Sequence, residues 1–355
     1  MNKWFLSGLI LIIFLSACAN SPQTSAAQSA TQISPQGFPE EEPVRLRVAQ
    51  QFGLGYAAMT IADELGFFEK YIPDLKVTWI QLTSDEAVTN AFSDGQIDAA
   101  VLSIPSFLLG WDQGIPWKVA SGICVLPLTL QTYDESINSL ADFRQEDRIA
   151  VPALGSLEHV LLSMASEKEF GNAAALNEIL VTLSSQEALA AMMEQRDITA
   201  HFSSPPATFE ELKSSEFKTV VDGVEIFGAE FSSMIAVASN DLYENNPRAY
   251  AALVMAIAEA TEFIHENPKE AATVLAPSLG LDEGTVLEYL TWPGMNYVTT
   301  PLGLMGFSDF MRDAGYLSTA PESLRDIAFS NVLAAIGENQ GEAGVLEILQ
   351  FRADD

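Results

Sequence analysis

The stretch Val48–Tyr71, VAQQFGLGYAAMTIADELGFFEKY, decides how the rest of the chain reads. It continues a strand-like VRLRVAQ (Val44–Gln50), bends at Gly53-Leu54-Gly55 and enters an amphipathic run predicted to be one helix over Tyr56–Tyr71. A strand, a glycine turn and a helix in that order make the front half of a βαβ unit, with free main-chain N–H groups at the start of the helix. A dinucleotide loop is not the expected reading of this turn: the third glycine of that fingerprint is absent, its place being held by Ala58.

Outward from this unit the alternation continues. LKVTWIQL (Leu75–Leu82) reads as a strand, Ser84–Ser93 as a helix, IDAAVLS (Ile97–Ser103) as a strand, Pro105–Trp111 as a helix and WKVASGI (Trp117–Ile123) as a strand. A second series begins near Asp147: DRIAVPA, helix Leu157–Phe170, EILVTL, helix Gln186–Gln195, ITAHFS, a helix from Pro206 and KTVVDG. Short β-branched runs separated by helical runs predict α/β blocks with parallel sheets. MIAVAS (Met234–Ser239) reads as a strand returning to the opening sheet, and the remainder is almost wholly helical. No internal repeat of fixed period is visible.

Residues 1–17 stand apart as a leader: Lys3 precedes an apolar run from Trp4 to Leu15 that ends in Leu15-Ser16-Ala17-Cys18. That run is shorter than the ~20 residues a membrane-spanning helix needs. Its end is similar to a bacterial lipobox, which implies cleavage before Cys18 and acylation of that thiol. The Ser, Gln, Ala, Thr and Pro residues that follow, up to position 43, predict a flexible tether. The chain has two cysteines. With Cys18 lipidated, Cys124 has no intrachain partner and reads as a buried apolar filler.

The formal net charge is -31. Such a field repels nucleic acid and anionic membrane surfaces, so neither is expected as a partner. Catalytic signatures are also missing: no Gly-x-Ser-x-Gly elbow, no His-Glu-x-x-His, no Cys-x-x-Cys and no phosphate loop ending in Gly-Lys. His159, His201 and His265 lie in unlike contexts, and neither a metal nor a cofactor is expected.

What recurs instead is a strand end followed by a polar turn and a helix start. Gln51, Phe52, Gly53, Gly55 and Tyr56 form the first such loop, Ser103 and Pro105 the second, Gly155 and Ser156 the third, and Phe202 with Ser203 and Ser204 the fourth. Each serine can be read as a helix cap, yet strand-end loops of open α/β sheets are also where ligands settle. The loops hold Phe52, Tyr56 and Phe202, and Trp292 in YLTWPGMNY is a further aromatic candidate, while no Lys or Arg occurs in any of them. A flat, partly apolar solute fits such loops better than a simple anion, which wants a fixed cation or several donors.

From about Val48 to Val332 the chain resembles the solute-binding proteins of ABC importers of the nitrate, sulfonate and taurine type (the NitT/TauT, NMT1-like group). The resemblance is carried by ADELGFFEKY, DGQIDAAVLS, LADFRQEDRIAVPALGS, ITAHFSSPP, ENNPRAYAALVMAIAEATEFI and TPLGLMGFSDFMRDAGYLSTAPESLRDIAF, in that order. It implies a type II periplasmic-binding fold with two α/β lobes. By that analogy residues 44–130 with 232–355 form lobe I and residues 131–231 form lobe II, joined by crossing segments at Leu126–Tyr133 and Gly228–Ser233. The same analogy places Gln51–Tyr56, Ser103, Ser156 and the Phe202-Ser203 turn at the ligand. Two residues depart from the family pattern: Ala207 stands where relatives usually carry Phe, and Glu158 near a position where Gln is common.

The resemblance implies an extracytoplasmic, lipid-anchored monomer that binds a small aromatic, heteroaromatic, sulfonate or nitrate-like molecule and passes it to a membrane permease, without catalysis. Two rival readings share the fold. One is a lipoprotein that binds a solute and reports to a receptor, and the other is an enzyme like the pyrimidine synthases, whose cysteine-rich motif is absent here.

Overall fold

The computed structural model describes residues 44–82 and 84–337. The leader, Cys18 and the tether lie outside the described residues. Among the described residues, eleven strands build two sheets. In the first, β1 (Arg45–Gln50) runs parallel to β2 (Lys76–Gln81), with Arg45 opposite Lys76 and Gln50 opposite Gln81, and parallel to β3 (Ala99–Ser103) on its other side. After β4 (Trp117–Val125) the chain leaves this sheet.

The second sheet holds β5 (Thr129–Thr132), β6 (Ile149–Val151), β7 (Leu180–Thr182), β8 (Ala200–Ser203) and β9 (Lys218–Asp222). The chain then returns through β10 (Met234–Ser239) and the short β11 (Asn296–Tyr297). The orders are β11-β4-β10-β3-β1-β2 and β7-β6-β8-β5-β9.

The predicted parallel sheets need one correction. β10 sits between β3 and β4, antiparallel to both, and β5 sits between β8 and β9, again antiparallel to both. Each sheet therefore receives one reversed strand from the half of the chain that builds the other. The second sheet repeats the first, with β6 in the place of β1 and β8 in the place of β3.

Local chemistry explains the elements. All five residues of β3 are buried, which suits an Ala/Val/Leu strand covered on both faces. Ser84 caps the helix Asp85–Ser93 by accepting from the Ala87 N–H, and Ser156 caps the helix Leu157–Phe170, which ends at Gly171 in the left-handed region. The single helix expected over Tyr56–Tyr71 is instead a short 3-10 turn (Leu54–Tyr56) and two helices, Ala57–Glu64 and Phe67–Tyr71. Gly66 separates them at φ 68, and the break turns Phe68 down onto Trp79, ring centroids 5.8 Å apart.

The 20-residue helix Pro247–Glu266 lies against both of these helices. Its buried Ala249, Ala252, Ala256 and Ala260 recur at helical spacing and permit close approach. Lys70 and Tyr71 reach across to Glu259 at 2.6 and 2.7 Å. Cys124 is fully buried in the core, and burial pushes its thiol pKa far up. No helix among the described residues is long and apolar enough to cross a membrane.

The expected first crossing, Leu126–Tyr133, is shorter in the structure because Thr129–Thr132 is already β5, so only Leu126–Leu128 connects the sheets there. The second, Gly228–Ser233, contains no helix or strand. The Ser233 hydroxyl accepts from the Leu126 N–H at 2.9 Å and the Ser233 N–H donates to the Cys124 carbonyl at 2.8 Å, so the two connections run side by side.

Candidate functional site

The loops after β1 and β3 belong to the first sheet and those after β6 and β8 to the second; the helix after β3 packs on the loop after β6 at Leu109 and Gly155, and Ser204 of the loop after β8 lies by Glu158. In the first loop, Gln51 closes the strand and Gly53 takes φ 131, a value strained for any residue with a side chain. Tyr297 donates to the Leu54 carbonyl at 2.9 Å and so anchors this loop to β11. Gly55 packs so tightly that an added Cβ would stand 3.1 Å from Met234. Beside the loop, Gln51, Phe52, Tyr56, Thr60 and Trp79 line a hollow of about 30 Å³, room for a water but not a solute.

In the second loop Ser103 ends β3 and caps the helix Ile104–Asp112, in which Pro105 is buried. Its hydroxyl donates to Ser106 at 2.9 Å, and Ser106 donates onward to Asp85 at 2.5 Å. Asp85 is the first residue of the helix that follows β2. Burial raises its pKa, and the Ser106 hydrogen bond opposes that rise.

In the third loop Gly155, at φ 83, lies where an added Cβ would be 3.1 Å from Leu109, a residue of the first half of the chain. Its N–H donates to His159 Nδ1 at 2.8 Å, which places the histidine proton on Nε2, and burial lowers the His159 pKa. Glu158 is only 7 % exposed. Burial raises its pKa, partly offset by its own main chain, by the hydroxyls of Ser204 and Ser156 and by His201. Glu158 thus ties the third loop to the fourth.

Tyr56 links the two halves. Its phenol pKa is raised, first by burial and then by the fields of Asp85, Cys124 and Glu158. Phe52 is 46 % exposed and Leu154 67 %. They occupy equivalent places, each directly before a positive-φ glycine, Gly53 after β1 and Gly155 after β6, the strand that holds the place of β1 in the second sheet.

Several nominated residues are placed differently from expectation. Ser103 and Ser156 are indeed helix caps, with Ser106 and His159 N–H groups donating to them at 3.3 Å. Phe202 is fully buried and cannot offer its ring to a solute. Ser203 turns inward, donating to Glu211 at 2.7 Å beneath the helix Ala207–Lys213. Both ends follow from β8 being an interior strand packed on both faces. His201 joins the same buried group, its Nδ1 2.6 Å from Glu211.

Trp292 packs on Phe209 with centroids 4.6 Å apart, under the ammonium of Lys213 at 5.7 Å, so it bridges the helices around Phe209 and Tyr289. Asp85 and Ser106 are polar residues that the sequence reading did not nominate for the site. The strand-loop-helix rule applied to β2 would have found Asp85.

Among the described residues, no group of three or more His, Cys, Asp or Glu is arranged to hold a metal. The family described as NMT1/THI5 like matches residues 55–271. The chain belongs to the NMT1/THI5-like family. The fold of this NMT1/THI5-like chain is that of periplasmic binding proteins. It is similar to the periplasmic aliphatic sulphonate-binding protein SsuA from Escherichia coli (18% identity, TM-score 0.66, 81% of this chain and 92% of that one).

It is also similar to the alkanesulfonate-binding SsuA from Xanthomonas axonopodis pv. citri bound to MOPS (18%, TM-score 0.64, 78% and 96%). A mutant of DszB in complex with biphenyl-2-sulfinic acid shares the fold at 15% identity and TM-score 0.57, over 84% of this chain and 100% of that one. Among curated proteins none matches the NMT1/THI5-like chain.

Proposed function

We propose that the protein is an extracytoplasmic solute-binding protein. It holds one small molecule between two lobes and delivers it to an ABC permease, without making or breaking bonds. The observation that carries this reading is the reciprocal strand exchange: β5 and β10 each enter the other half's sheet, leaving two adjacent connections as a hinge. The loops after β1, β3, β6 and β8 lie where strands of the two sheets end, the place where open α/β sheets take ligands. Residues 44–128 with 234–337 then form one lobe and residues 129–227 the other.

Closure adds contacts from the second lobe to a solute already seated on the first, and that difference shifts the population toward the shut form. Contacts outside the loops favour the same form. Ser163 and Tyr316 hydroxyls meet at 2.7 Å, and Tyr289 donates to Glu210 beside the Phe209–Trp292 pair. Phe52 and Leu154 support a guest with an apolar face, since covering each contributes on the order of 1–2 kcal/mol. Acylation at Cys18 would keep the protein at the membrane beside its permease.

Small-angle scattering tests the reading with and without a solute found by thermal-shift screening. A fall in radius of gyration on binding is expected, and Trp292→Ala is expected to expand the unliganded form. Unchanged dimensions with every stabilising solute, or turnover of the bound compound, would sink it. Metabolic labelling with an alkyne fatty acid, lost in Cys18→Ala, checks the anchor.

A further inference from the structure

One segment, residues 289–303, touches the other half of the chain, both connections and the first loop. At its start Tyr289 donates to Glu210 and packs on Phe209 at 4.9 Å, and Trp292 packs on the same ring at 4.6 Å. Phe209 and Glu210 belong to the helix Ala207–Lys213 that follows β8, and Lys213 of that helix covers the Tyr289 ring at 4.8 Å. Further on, Gly294 takes φ 88, and an added Cβ there would stand 3.6 Å from Pro127, in the first connection.

Tyr297 then pairs with Cys124 across β11 and β4, and its hydroxyl donates to the Leu54 carbonyl at 2.9 Å. Both residues are buried. Leu54 opens the turn in which the Tyr56 N–H donates to Gly53 and the Ala57 N–H to Leu54 itself. Beyond Tyr297, Thr299 accepts from the Gly122 N–H at 2.7 Å, and Leu302 exchanges two hydrogen bonds of 3.0 Å with Ser232, in the second connection. The segment ends at Gly303, where an added Cβ would stand 2.9 Å from Phe231. A stretch of chain pinned at so many points orders and loosens as one unit.

We infer that residues 289–303 couple the approach of the two lobes to the first ligand loop, with Tyr297 the positioning residue at the loop and Tyr289 its counterpart at the second lobe; this rests on the solute-binding reading above. Closure seats Tyr289 and Trp292 on Phe209, which orders the segment and, through the Tyr297 hydroxyl, the turn at Leu54. Such coupling is reciprocal: a solute that orders the turn favours closure before it touches the second lobe. The element with two states is the segment itself, docked or loose.

Hydrogen exchange of the unliganded protein, followed by mass spectrometry, tests the coupling. Tyr289→Phe and Tyr297→Phe each remove one hydroxyl and keep the ring. Tyr289→Phe is expected to speed exchange at Tyr56 and Ala57 by about threefold or more, although the lost bond lies at the second lobe, and to leave β3 unchanged. Tyr297→Phe is expected to do the same to the helix Ala207–Lys213. Ser163→Ala cuts the contact with Tyr316, which lies outside the segment, and is expected to leave the turn as it is. Changes confined to the altered end in both variants, or an equal response of the turn to Ser163→Ala, would overturn the coupling. Should one variant fail to fold, the other decides alone. A turn that responds as expected in a protein that no solute compacts would uphold the coupling and overturn solute capture.

Discussion

The hydroxyl of Ser233 accepts a hydrogen bond from the main-chain N–H of Leu126 at 2.9 Å, joining the second crossing segment to the first. Ser233 is fully buried, so no water replaces it. Ser233→Ala leaves the Leu126 N–H unpaired and is expected to cost about 1–3 kcal/mol in urea unfolding. A loss below the error of that measurement would show that the hinge does not depend on this bond.

Glu158 and Asp85 both have pKa values raised above the ordinary 4.5 and 3.8, burial being the larger cause in each. Between the ordinary and the raised value the folded state holds more protons than the unfolded state. Stability therefore falls as pH rises through that window, and below the ordinary value the effect is gone. Glu158→Gln removes the penalty and is expected to melt above the wild type at pH 7.5. The difference should close by about pH 4, where both states protonate the carboxyl. A variant that melts lower at pH 7.5 would mean that Glu158 is compensated in the folded protein.

Gly122 lies in β4 where a Cβ would stand 2.7 Å from the Val298 carbonyl oxygen and 3.0 Å from that of Thr300. Those are main-chain atoms and cannot swing aside. Gly122→Ala is expected to destabilise by about 1–3 kcal/mol, seen as a lower denaturation midpoint with an unchanged slope. Gly95→Ala meets no neighbour but holds φ 63, so its smaller penalty isolates the backbone effect from the clash.

The Cys124 thiol is buried and its pKa raised, which denies it both access and ionisation. Its peptide, followed by mass spectrometry, is expected to resist iodoacetamide in the native protein and to be alkylated fully in denaturant. Rapid native labelling would place the thiol on a mobile surface instead.

The succession of strands and helices was legible because it depends on local periodicity: helix Leu157–Phe170 and strand Met234–Ser239 occupy the residues their patterns predict. The family was legible too, through motifs spread along the chain. Boundaries slipped where a single backbone angle intervened, as at Gly66, or where a strand began inside an expected connection, as at Thr129.

The site was legible as loops but not as side chains. Ser203 and Ser204 are neighbours of identical chemistry, yet the first bonds Glu211 in the interior and the second faces Glu158. Strand alternation sends adjacent residues to opposite sides, and only the packing of the helix Ala207–Lys213 says which side is inside.

By itself the sequence determined the elements, the glycine turns that end the strands and the absence of Lys and Arg from the loops, all properties of short stretches. Only the tertiary structure decided that β5 and β10 trade sheets, and that Asp85 and Glu158, far apart in the chain, act on one tyrosine. Strand order is set by which surfaces bury one another, and the field at a buried group by everything packed around it; neither is encoded within any one segment.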